Sequence, residues 1–112
     1  MEGIKWPFGD ATTEALSATG TQAVSIWNDL TIIDGVTAAA SGNRTINLTI
    51  SDAVKAGARL VCKLKTAATE TTAFGTGMSG ATITGVAGKT KNVEFVYDGT
   101  NFVEAGTPIQ ID

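Results

Sequence analysis

Lys89-Thr-Lys-Asn-Val-Glu-Phe-Val-Tyr-Asp-Gly-Thr-Asn-Phe-Val103 is the stretch on which the fold class turns. Val93, Phe95 and Tyr97 recur at every second residue, the period at which a strand sends successive side chains to opposite faces. Asp98-Gly99 follows at once. A tight hairpin needs positive φ, which glycine adopts without steric cost and aspartate tolerates. Phe102 and Val103 then start a return strand. The stretch reads as a β-hairpin, and it sets an all-β expectation for the residues around it.

Working outward, the same period recurs. Residues 59–65 place Leu60, Cys62 and Leu64 on one face and Arg59, Lys63 and Lys65 on the other. Residues 44–50 do the same with Ile46, Leu48 and Ile50 against Thr45, Asn47 and Thr49. Short strands are expected at 71–74 and at 81–86, the latter with Ile83 inward, separated by breaks at Gly75, Gly77 and Gly80 and followed by a turn at Gly85 and Gly88. Beyond the hairpin, Ile109 and Ile111 suggest an edge strand, with Pro108 at its start where a missing N–H does no harm. Toward the N-terminus, Val24 and Ile26 alternate with Ser25 and Trp27, and Leu30 and Ile32 flank Thr31. Asp34-Gly35 signals a turn and residues 36–43 a loop. Residues 51–57 read as a single helical turn, capped by Ser51 or Asp52 and stopped by Gly57.

The result is about eight short strands, an antiparallel β-sandwich or jelly-roll-like domain over residues 21–112. Residues 1–20 read as an extended N-terminal arm, with a short helical turn at 13–18. The aromatic, turn-like Trp6-Pro7-Phe8 within it is a candidate partner contact. Trp27 is out of phase with Val24 and Ile26, which makes it a candidate exposed contact.

Composition narrows the function. The 112 residues carry 8 Lys and Arg against 11 Asp and Glu, a net charge of −3. The cations form no stripe, which argues against nucleic acid, where phosphate contacts need concentrated positive charge. Histidine is absent and there is one cysteine. The chain therefore lacks the commonest general base and transition-metal ligand, and an internal disulfide has no second thiol. Cys62 falls on the apolar face of its strand and reads as core. The carboxylates are scattered, several at turns, so no enzyme activity is expected. Asp98-Gly-Thr-Asn101 lacks the dense acidic spacing of a calcium loop. Gly75-Thr-Gly77 has no Gly-Lys-Ser/Thr after it, so it is not a phosphate loop. No cofactor or metal is expected. No secretory signal is visible and no apolar run approaches the roughly 20 residues of a membrane span, so no membrane contact is expected either.

From Arg44 onward a series of motifs runs in order: Ile46-Asn-Leu-Thr-Ile50, Ala56-Gly57, Leu60-Val-Cys-Lys-Leu-Lys65, Phe74-Gly-Thr-Gly77, Ile83-Thr-Gly85, Lys89-Thr90, and Val93-Glu-Phe-Val-Tyr-Asp-Gly-Thr-Asn-Phe-Val103. The series resembles a β-sandwich module of bacteriophage virion proteins of the capsid-decoration, head-fibre and tail-fibre types. That resemblance implies a virion structural protein, assembled in the host cytoplasm. As nearly the whole of a short chain, the module implies a capsid decoration or cement protein whose partner is the major capsid protein. It also implies self-association, with a homotrimer preferred. The alternative implied is a tail- or fibre-associated receptor-binding module that recognises a glycan.

Overall fold

Alternation of the kind seen in residues 44–50 buries one face of a strand and leaves the other to solvent, so two such sheets must close on each other. The computed structural model, which describes residues 11–112, does this with eleven strands and no helix among the described residues. They are β1 (Thr12–Ala15), β2 (Gly20–Ile26), β3 (Leu30–Ala40), β4 (Arg44–Ile50), β5 (Arg59–Thr66), β6 (Thr71–Phe74), β7 (Met78–Ser79), β8 (Ile83–Thr84), β9 (Thr90–Tyr97), β10 (Phe102–Glu104) and β11 (Ile109–Gln110). The larger sheet runs β1-β3-β5-β9-β10-β7, with β11 also paired to β9, and the smaller runs β2-β4-β6-β8. The protein is an all-β sandwich.

Its strand directions are mixed. β1 through β6 alternate between the sheets, and each of β1 to β4 pairs in parallel with the strand two later in the chain. The chain thus winds as a flattened coil. A parallel pair needs a long crossover, and here the intervening strand of the opposite sheet serves as one. The antiparallel arrangement expected from the hairpin is local to the C-terminal part: β9 pairs antiparallel with β5, β10 and β11, and β8 with β6. Period-two alternation is the same for either direction, so the residues of one strand do not distinguish them.

The ladders align like with like. Val24 lies beside Leu48 and Ile26 beside Ile50; Ile33 lies beside Cys62, and Cys62 beside Val93. Between the sheets these side chains form one core with Leu16, Ile46, Leu60, Phe95 and Phe102. Phe74 of the small sheet meets Phe95 of the large one edge-on, ring centroids 4.8 Å apart. Tyr97 stacks on Phe102 at 4.9 Å.

Four local expectations change. Residues 13–18, expected as a helical turn within the arm, begin with β1, and Leu16 is buried. The large sheet therefore starts inside the stretch read as an arm; residues 1–10 lie outside the described residues. In β3 the buried positions are Thr31 and Ile33 rather than Leu30 and Ile32. Its register against β5 sets the phase, because Thr31 and Ile33 sit beside the inward-facing Leu60 and Cys62. The expected loop at 36–43 is mostly strand, since β3 continues to Ala40 through an irregularity after Gly35. Residues 51–57 form successive turns instead of a helical one. Val54 donates to the Ser51 carbonyl at 3.1 Å, Ala58 donates to the Lys55 carbonyl at 3.1 Å, and both residues are buried. Docking Val54 and Ala58 on the core outweighs one unsupported turn of helix, which is costly to nucleate.

Candidate functional site

The outward face of the large sheet is built by the positions the core does not use. Leu30, Arg59, Val96 and Val103 lie side by side across β3, β5, β9 and β10, and the next row holds Ile32, Val61 and Glu94. Arg59 pairs with Glu94 on this face. Asp34, Lys63, Asn92 and Ile109 make a third row. The apolar side chains are most open at the β10–β11 side, where Val103 is 38% exposed, Ile109 65% and Ile111 58%. Val103 is turned out because its neighbour Phe102 turns inward to the core.

Two shallow depressions flank these isoleucines. One, of about 380 Å³, lies between Ile109 and the Val61, Asn92 and Glu94 side of the sheet. The other, of about 470 Å³, lies between Ile111, Ile32, Lys63 and Asp34. Asp34 is committed locally. One carboxylate oxygen accepts the N–H groups of Val36 (2.8 Å) and Thr37 (3.1 Å), and the other accepts the Thr37 hydroxyl at 2.7 Å. Those bonds, the Thr37 hydroxyl foremost, hold its carboxyl below the usual aspartate range.

The smaller sheet presents a different outward face, Thr21, Ala23 and Ser25 of β2 beside Thr45, Asn47 and Thr49 of β4, all without charge. Trp27, immediately after β2 and pointing the same way in phase, is 60% exposed. Asp98 and Gly99 occupy the turn joining β9 to β10. Asp98 accepts the N–H groups of Thr100 and Asn101, both at 2.8 Å, and Gly99 has φ of +100°. Trp6, Pro7 and Phe8 lie outside the described residues.

Among the described residues no group of three or more His, Cys, Asp or Glu is placed to hold a metal ion, and no helix is long and apolar enough to cross a membrane. Cys62 is fully buried, and desolvation pushes its thiol far above the usual range, which disfavours the nucleophilic thiolate.

The sequence reading singled out Trp27 but not the Val103, Ile109 and Ile111 group. Ile109 was legible as strand and Ile111 lies just past the end of β11; their spacing carries no sign of which sheet face they join. It also passed over Arg44, although Arg44 is in phase with Ile46 and Leu48 and is as buried as they are. Compared with known proteins, the chain matches no family model, no curated protein and no solved structure.

Proposed function

We propose that the protein is a non-enzymatic adhesion subunit of a bacteriophage particle, a capsid decoration or cement protein that binds the assembled shell. The observation that supports this best is the outward face of the large sheet, where Val103, Ile109 and Ile111 stand exposed on a two-sheet body. Exposed apolar side chains gathered on one face favour protein contact, because covering them releases water. The resemblance of residues 44–103 to virion modules supplies the setting: the major capsid protein as partner, and copies of this chain around a threefold axis. The mechanism is adhesion by buried area, with Arg59, Glu94 and Lys63 at the rim favouring one orientation over others. Trp6, Pro7 and Phe8 are a further proposed shell contact on which this reading does not rest.

The test is co-sedimentation with shells that lack the protein. The double variant Ile109→Asp/Ile111→Asp is expected to keep its unfolding free energy in urea titration to within about 0.5 kcal/mol, since both side chains are solvated. Its retention on shells is expected to fall at least about tenfold. Retention equal to the parent chain would remove the large-sheet face from consideration.

Trp27 favours a second reading, a tail- or fibre-associated module that binds a glycan. An exposed indole beside an uncharged hydroxyl-bearing face suits stacking on a sugar ring. On that reading a glycan array gives binding that Trp27→Ala abolishes.

A further inference from the structure

A further hollow lies where the turn between β2 and β3 meets the turn that enters β5. It holds about 430 Å³, within the range of small-molecule pockets, about 300–1,000 Å³. Backbone bonds fix its walls. Ala58 donates to the Lys55 carbonyl at 3.1 Å, closing a turn around Gly57, whose φ is +99°. Gly57 donates to the Tyr97 carbonyl and Tyr97 donates back to the Ala58 carbonyl, both at 2.8 Å. Arg59 donates to the Asp29 carbonyl at 2.8 Å, which ties the two turns together. The pocket is thus formed before any ligand arrives, and a preformed site spares the ligand the cost of ordering it.

We propose that this pocket binds an acidic sugar, one ring that carries both a carboxylate and hydroxyl groups. Three features select that class. First, the lining is mostly apolar, and Leu30, Ala56 and Ala58 offer a surface to the C–H face of a ring. Second, Lys55 and Arg59 bring two positive charges to the pocket of a chain whose net charge is −3. Glu94 holds the Arg59 guanidinium through Nε and one Nη, so the group is fixed in place while its other Nη has no partner among the described residues. The Lys55 ammonium has none among them either. Such donors make charge-assisted bonds to a carboxylate. Third, the Asp29 carboxylate also lines the pocket and has no partner among the described residues. An ionised carboxyl only accepts, so it repels an anion with nothing to donate and takes the hydrogens of a hydroxyl-bearing one. An aromatic or fatty acid meets the first two features and fails the third. A neutral sugar meets the first and third and leaves both cations unused.

An NMR titration of the amide shifts of the full chain tests the site. The probes are sodium glucuronate and N-acetylneuraminate, with glucose and benzoate at equal ionic strength as the molecules that each lack one of the two functions. At least one of the acidic sugars is expected to shift the amides of Leu30 and of residues 55–59 saturably, half-maximal at roughly millimolar concentration, with the amides of β4 and β6 unmoved. Glucose and benzoate are expected to bind at least about fivefold more weakly, and Lys55→Gln to weaken the acidic sugar by about the same factor. Asp29→Ala is expected to narrow the preference over benzoate. No saturable shift with either acidic sugar, glucose or benzoate binding as well as they do, or an affinity undiminished in Lys55→Gln would each overturn the proposal. Trp27 does not line the pocket, so Trp27→Ala is expected to leave the titration unchanged. A loss in that variant would move the sugar to the hydroxyl-bearing face and overturn the proposal as well. None of these readouts uses a shell, so their failure leaves the adhesion reading as it stands.

Discussion

Arg44 is 1% exposed, a cation inside an all-β core. Its Nη atoms donate to the carbonyls of Ser17 (3.4 Å), Ala38 (3.1 Å), Gly35 (3.3 Å) and Lys65 (3.2 Å), and its Nε has no partner among the described residues. Desolvation lowers its pKa and the nearby Glu70 opposes that, yet a guanidinium stays charged at any pH a protein survives. One side chain from the small sheet thereby satisfies backbone oxygens where β3 is irregular and β5 ends. Gly35 makes the room: a Cβ there would lie 2.8 Å from the Lys63 carbonyl and 3.0 Å from an Arg44 nitrogen. Arg44→Met is expected to lower the unfolding free energy by about 3 kcal/mol, because buried carbonyls lose charge-assisted donors. Arg44→Lys is expected to recover less than half of that, since an ammonium lacks the planar fork that reaches several acceptors at once. Urea titration of the three proteins checks both.

Two turns give the elements their acid sensitivity. The Asp98 carboxylate closes the β9–β10 turn through the Asn101 and Thr100 amides, and those bonds hold its pKa below the ordinary value. Asp34 does the same within β3, led by the Thr37 hydroxyl. A carboxyl depressed on folding contributes stability that is fully present above its unfolded pKa, about 3.9, and lost as pH falls through its lower folded value. The parent chain is therefore expected to lose stability below about pH 4, and Asp34→Asn/Asp98→Asn to show a shallower loss over the same window. Urea midpoints measured from neutral pH downward decide it, and parallel acid limbs for the two chains would contradict it. Both groups are well solvated, so the difference in slope is expected to be modest. The Asp98-Gly99 turn was legible in the sequence because its chemistry is local. The Asp34 turn was only half legible: Asp34-Gly35 did mark a change of course, but the strand resumes after it, since pairing to β5 continues at Ala40.

At the scale of the whole molecule the two sheets close over a single thiol. Cys62 is 0% exposed between Ile33 and Val93 in neighbouring strands, so a thiol reagent reaches it only when the sandwich opens. Its labelling rate in native buffer is expected to match the global opening measured by exchange of the slowest amides. Rapid labelling without unfolding would show a local route to the core. Alternation alone was enough to determine the β class, the two-faced strands, the inward Cys62 and the outward Trp27, because each depends on a period of two within one segment. The parallel winding, the phase of β3 and the burial of Arg44 were decided by tertiary structure alone. A strand's residues do not record the direction of its neighbour, and Thr31 and Ile33 turn inward because Leu60 and Cys62 lie beside them. Arg44 can be buried because the carbonyls of Ser17, Gly35, Ala38 and Lys65, scattered along the chain, meet only when both sheets are in place.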